Sequence, residues 1–313
     1  MRKLIAAAFA AVLSLLPSAV VHAQPWPSRP IRFVIPFGPG SASDALARIA
    51  GQELAQLLGQ PVVVVQKPGA DGALSAIEVK RSPPDGYTFL FGTNSPLAVV
   101  PNIRKEQAYD VLADFTPVTF LGDNTFFIVV HPSVPAKSLA GLIAHAKANP
   151  KVLNYAAGNT YALVATAMFA ANAGIEMQSI PYKSEPDAIV DLLSGRVHLM
   201  FGTSTTTAPH VKGGNLRALA TTFHERSPLM PDVPSIVEAG QPKFPIGPWF
   251  ALLGPAGLAP EIVARMHKEM ATVLMLKQGF IPRSSTPEEL TAYMKDQLTV
   301  WKTALKAAGI ELQ

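Results

Sequence analysis

Ile31-Arg32-Phe33-Val34-Ile35-Pro36-Phe37-Gly38-Pro39-Gly40-Ser41-Ala42-Ser43-Asp44 is the stretch on which the fold turns. Its first five residues form a short apolar run that breaks into Pro and Gly, the pattern of a buried strand. An amphipathic helical pattern starts at Asp44. Leu46, Ile49, Ala50, Leu54, Leu57 and Leu58 recur on one face, with Arg48, Gln52, Glu53 and Gln56 on the other. Ser43 is the expected N-cap, with Asp44 in the first turn. The unit is therefore strand, Gly/Ser-rich loop and helix N-terminus, whose free N–H groups and positive dipole end suit an anion. No Lys follows the glycines, so the loop is not a phosphate-binding P-loop, and a smaller anion than a nucleotide is implied.

The same unit recurs downstream. Pro61-Val62-Val63-Val64-Val65 predicts a second strand, ending at Lys67-Pro68-Gly69-Ala70-Asp71-Gly72 ahead of a helix over residues 73–81. Tyr87-Thr88-Phe89-Leu90-Phe91-Gly92 predicts a third, ending in the turn residues Thr93-Asn94-Ser95. A second series opens with a strand over 126–130 and a helix capped by Ser138. It continues with a strand over 153–156, the loop Ala157-Gly158-Asn159-Thr160 and a helix over 162–173. Strand 179–182, helix 185–193 and strands 198–202 and 216–220 follow, then a strand over 249–253 and helices over 260–276 and 287–308. Alternating strands and helices predict an α/β fold with mostly parallel sheets flanked by helices.

Two lobes account for this order. Residues 24–125 plus 249–313 form lobe 1 and residues 126–248 lobe 2, because an N-terminal lobe without the last helices would leave one sheet face bare. The chain then crosses between lobes twice, near 123–126 and 247–249, which makes a hinge and a cleft. Ligands of open α/β sheets bind beyond the carboxyl ends of the strands. Each Gly/Ser/Thr-rich loop above lies at such an end.

Residues 1–23 read as a cleaved signal peptide. Arg2 and Lys3 are followed by an apolar core over 4–16, and Val21-His22-Ala23 fits the small-residue cleavage rule, so the mature chain is expected to begin at Gln24. The chain has no Cys, hence neither a lipoprotein anchor nor disulfides. A mature chain of about 290 residues buries a core without staples, and an exported, soluble periplasmic protein is expected. The formal charge of +4 falls to about +2 without Arg2 and Lys3, and the scattered basic residues exclude nucleic acid as a partner. There is no Gly-x-Ser-x-Gly elbow, zinc motif or dinucleotide fingerprint. The histidines do not pair at metal spacing. No catalytic residue, metal or cofactor is assigned.

Many short motifs occur in one order: Trp26-Pro27-Ser28-Arg29-Pro30-Ile31, Leu58-Gly59-Gln60-Pro61-Val62-Val63-Val64, Pro83-Pro84-Asp85-Gly86-Tyr87-Thr88, Asp114-Phe115-Thr116-Pro117-Val118, Val130-His131-Pro132-Ser133-Val134-Pro135-Ala136, Pro181-Tyr182-Lys183 and Asp191-Leu192-Leu193-Ser194-Gly195. In these the chain resembles the periplasmic solute receptors of tripartite tricarboxylate transporters, the Bug family. The resemblance implies a two-lobe periplasmic-binding-protein type II fold, usually monomeric. It also implies capture of a small carboxylate for integral membrane transporter subunits, with amides, hydroxyls and water holding the carboxylate. By position that role falls on Phe37, Gly40, Ser41, Ala42 and Asp44, on Thr93 and Ser95, and on Ala157, Gly158, Asn159 and Thr160. Tyr182, Phe201, Gly202 and Thr203 complete the set.

Two departures from the family pattern stand out. Ser41 and Ala42 replace a pair of glycines, and the loop Ala157-Gly158-Asn159-Thr160-Tyr161 is about two residues shorter, with Val164 and Ala167 near positions that are polar in the family. The shortened loop reshapes the second lobe's share of the site, and the two departures leave the particular carboxylate open. A ligand sensor presenting a carboxylate to a membrane signalling partner, or a cleft enzyme, are the alternative functions.

Overall fold

The computed structural model describes residues 26–273 and 280–310; the leader expected over 1–23 lies outside the described residues. The first sheet contains β1 (Ile31–Ile35), β2 (Val62–Gln66), β3 (Thr88–Thr93), β4 (Phe115–Asn124), β10 (Trp249–Pro255) and β11 (Phe280–Pro282). The second contains β5 (Phe126–Val130), β6 (Asn154–Ala157), β7 (Gln178–Pro181), β8 (Leu199–Thr203) and β9 (Arg217–Thr221). Their orders are β11-β4-β10-β3-β1-β2 and β7-β6-β8-β5-β9.

The expected parallel series are present as β2-β1-β3 and β7-β6-β8. The crossing strands β10 and β5 run antiparallel to their neighbours, so both sheets are mixed. A strand that enters directly from the other sheet has no helical crossover to make it parallel.

The helices are α1 (Ala42–Leu58), α2 (Ala73–Lys80), α3 (Val100–Ile103), α4 (Leu139–Ala148), α5 (Thr160–Ala173), α6 (Glu185–Leu193), α7 (Ser204–Lys212), α8 (Pro260–Thr272) and α9 (Pro287–Ala307). Alternation along β1 sends Ile31, Phe33 and Ile35 toward Leu46, Ala50 and Leu54 of α1 and Met266 and Met270 of α8, while Val34 faces the other side. Burying each large apolar side chain contributes roughly 1.5–3 kcal/mol. α9 packs on β4 and the helical turn at Ser95–Val99, and α8 on β4 and α1, so both lie against the first sheet.

Three local expectations are corrected. The N-cap of α1 is Ser41, not Ser43, because the Ser41 hydroxyl takes the Asp44 amide. Leu57 is 40% exposed, beyond the edge of the buried stripe. Thr93-Asn94-Ser95 is not a simple turn, since a helical segment starts at Ser95 and runs on into α3.

Candidate functional site

The loop after β1 is held from three directions. Ser41 Oγ accepts from the Asp44 amide at 3.3 Å, donates to the Gly38 carbonyl at 2.7 Å and lies 3.1 Å from Ser43 Oγ. Asp44 accepts from the Gly40 amide at 3.2 Å, Arg48 Nε at 3.0 Å and Gln66 Nε2 at 2.9 Å. Burial pulls the Asp44 pKa up, but the bonds from Arg48, Gln66 and Gly40 outweigh it and leave the carboxyl below its ordinary value. Gly40 turns the loop at φ +78°, a conformation that costs glycine little. Among the described residues no acceptor takes the amides of Ala42 and Ser43, the two first helical residues.

These amides lie beside a cavity of about 50 Å³ lined by residues that follow the carboxyl ends of β1, β3, β6 and β8. A buried water needs roughly 10–15 Å³ of such room, so the cavity suits a few waters or a small polar group. On the first sheet's side stand Ser41, Ala42, Ser43, Thr93, Asn94 and Ser95. Asn94 Nδ2, Ser95 Oγ and, at the end of β4, Asn124 Oδ1 are buried without a hydrogen-bond partner. Each such group costs about 1–3 kcal/mol if left unpaired. These three make the polar side of the cavity wall.

The opposite wall comes from the second sheet. Asn159 caps α5, its Oδ1 accepting from the Ala162 amide at 2.9 Å. A Cβ on Gly158 would lie 2.6 Å from Glu185 Cα, so only glycine lets the start of α6 approach the β6 loop this closely. The Glu185 carboxyl, buried beside the cavity, accepts from the Thr203 amide and from Thr203 Oγ1, the latter at 2.9 Å. Burial pushes its pKa up to about 7 against the opposing pull of the Thr203 and Thr206 bonds.

Phe37, Phe126, Tyr161 and Trp249 supply the apolar remainder. Their polar handles are already used: Tyr161 donates to Thr222 Oγ1 at 3.0 Å and Trp249 Nε1 to Gln297 Oε1 at 3.2 Å.

A larger groove of about 650 Å³ adjoins this cavity and shares Phe37, Gly158, Asn159 and Ser184 with it. Of the residues expected from sequence, Phe37, Ser41, Ala42, Thr93, Ser95, Gly158, Asn159 and Thr203 line the inner cavity. Ala157, Thr160 and Tyr182 line the groove, where the Tyr182 hydroxyl is committed to Asp191 at 2.8 Å. Burial, then that bond to the Asp191 carboxylate, push the Tyr182 pKa up to about 12.

Gly40, Asp44, Phe201 and Gly202 line neither space. Gly40 and Asp44 instead brace the loop. Phe201 sits two residues deeper along β8 than Thr203, between Phe169 and Phe244, and belongs to the core. A Cβ on Gly202 would meet Met200, Thr207 and Glu185 Oε1 at 2.5, 2.6 and 3.1 Å, so Gly202 leaves room for the Glu185 carboxyl and does not itself line the cavity.

Sequence reasoning did not assign Ser43, Asn94, Asn124, Ser184 or Glu185 to the site. Asn94 had a signal, in the polar cluster after β3. Glu185 carried none beyond its place in a helix's first turn.

The fold and this site between strand ends define a two-lobe periplasmic binding protein. Residues 46–309 match the model of the Tripartite tricarboxylate transporter family receptor, and the chain belongs to that family. It is 35% identical to Protein BugT of Bordetella pertussis over 307 residues, covering 95% of this chain and 94% of that one. The solved structure of Rpa4515 of R. palustris with adipate is 31% identical, with a TM-score of 0.88 over 92% of this chain and 100% of that one. MatC from Rhodopseudomonas palustris with bound malate is 25% identical, with a TM-score of 0.80 over 90% of this chain and 100% of that one. The family is one of solute receptors, and among the described residues no helix is long and apolar enough to cross a membrane.

Proposed function

We propose that the chain is a periplasmic receptor that captures a small carboxylate-bearing solute between two lobes and delivers it to a tripartite tricarboxylate-type membrane transporter. The lobes are residues 24–125 plus 249–313 and residues 126–248, hinged where β4 passes into β5 and where the chain returns into β10. The observation that carries this reading is the set of unpaired donors at the start of α1 and after β3. The Ala42 and Ser43 amides, Asn94 Nδ2 and Ser95 Oγ all border one cavity, and no Lys or Arg lines it. Donors of this kind hold a carboxylate without a cation, and the positive end of α1 adds to them. The adipate- and malate-bound relatives support a carboxylate as the ligand class. The adjoining groove is the route by which the solute reaches the cavity.

Ser41→Asp tests the carboxylate seat. Asp caps a helix as Ser does but cannot donate to the Gly38 carbonyl, so the variant should lose some stability yet still fold, while its charge opposes the ligand's. Calorimetry with a panel of small carboxylates should find a ligand for the wild type and at least a 100-fold loss in the variant, at a temperature where both still give a cooperative melting transition above it. Equal affinity in the two proteins would move the carboxylate elsewhere. Steady conversion of the bound solute to a product would overturn the receptor reading.

A further inference from the structure

The cavity is flanked by two helix N-termini whose polar surroundings differ. At α1 the first amides are open and their neighbours Asn94 Nδ2 and Ser95 Oγ lack partners. At α7 the first helical amide, that of Ser204, is taken by the Thr125 carbonyl, and the N-cap Thr203 gives both its amide and its hydroxyl to the Glu185 carboxyl, so the chain places an acidic side chain of its own at that end. Resting on the receptor reading above, we propose that Glu185 is a specificity-determining residue that excludes dicarboxylates. The ligand is then a monocarboxylate whose far end carries a hydrogen-bond donor, an ammonium or amide N–H, facing Glu185.

Three observations support this. Glu185 is the only Asp, Glu, Lys, Arg or His on the cavity lining, and among the described residues it forms no ion pair, so nothing there offsets a second ligand carboxylate. The carboxyl has nowhere to retreat. Its residue is 6% exposed, its backbone abuts Gly158 and Pro186 follows it in the first turn of α6. Two like charges brought together in such a site disfavour each other strongly, whereas a ligand N–H would add a charge-assisted bond to a carboxylate that only accepts.

The test compares matched ligands by calorimetry at pH 8: adipate against its monoamide and 6-aminohexanoate, and succinate against its monoamide and 4-aminobutanoate. Wild type is compared with Glu185→Gln, which keeps an acceptor for Thr203 but no charge, and with Glu185→Ser. Melting midpoints report that each variant is folded. In the wild type the better donor-ended member of a set should bind at least 30-fold more tightly than its diacid. Both variants should improve the diacid at least 10-fold relative to that member. A wild type that binds the diacid as tightly as its donor-ended partners, or a preference unchanged in both folded variants, overturns the inference and leaves the receptor reading standing. No binding of any acid to any of the three proteins removes the receptor reading and this inference with it.

Discussion

A buried carboxyl responds to pH in the direction set by which state holds its proton longer. For Glu185 the folded value of about 7 lies above the ordinary 4.5, because burial penalises the charged form more than Thr203 and Thr206 favour it. The folded chain therefore binds more protons than the unfolded chain between these values. The stability is full below about pH 4.5 and is lost progressively as pH rises toward and past 7. At about 1.4 kcal/mol per pK unit the loss is at most roughly 3 kcal/mol. Urea unfolding at pH 5 and pH 8 should show a smaller fall for Glu185→Gln than for the wild type, and parallel behaviour of the two proteins would exclude this origin. Nothing local in Ser184-Glu185-Pro186 distinguishes such a carboxyl from an exposed first-turn acid. Its burial is imposed by Gly158 and Thr203, which lie 27 residues before it and 18 after it in the chain.

At the scale of elements, the α1 unit was legible because its determinants are near neighbours. The apolar run, the glycines, the capping serines and the helical stripe all lie within residues 31–58. Asp44 holds this unit together by tying the Gly40 turn to Arg48 and to Gln66 of β2. Asp44→Ala should cost about 1–2 kcal/mol in unfolding free energy, in the range of a lost helix cap. It should also weaken ligand binding several-fold by loosening the amides at Ala42 and Ser43. Full affinity in a destabilised variant would separate the brace from the site. β4 was not legible as a strand because Pro117 interrupts its pattern. The structure places Pro117 opposite Leu253 at a register shift, where the ladder is already broken, and so accommodates it.

At the scale of the molecule, a few polar bonds link the two sheets around the cavity. Asn124 donates its amide to the Pro248 carbonyl at 2.8 Å, joining the two crossing segments. Thr160 Oγ1, at the start of α5, donates to Asp71 Oδ1 beyond β2 at 2.8 Å. Asp71 also pairs with Arg104 at 3.7 Å, so it keeps a partner if Thr160 is changed. A hydrogen bond of this kind contributes about 0.5–1.5 kcal/mol. Thr160→Val should therefore raise the ligand Kd a few-fold, and small-angle scattering of the ligand-free protein should show a larger radius of gyration than the wild type. An unchanged Kd would mean that this bond does not help hold the lobes together around the ligand.

The sequence by itself determined the strand–loop–helix units, most helix starts and the anion-suited loop after β1, because periodicity, caps and turns act over a few residues. It also carried the motif order that marks the receptor family. Only the tertiary structure decided which groups share the cavity. Asn94, Asn124 and Glu185 meet there through packing between segments distant in the chain, while Phe201 and Gly202 do not line it. Burial and the absence of a partner are properties of that packing, which no local pattern encodes.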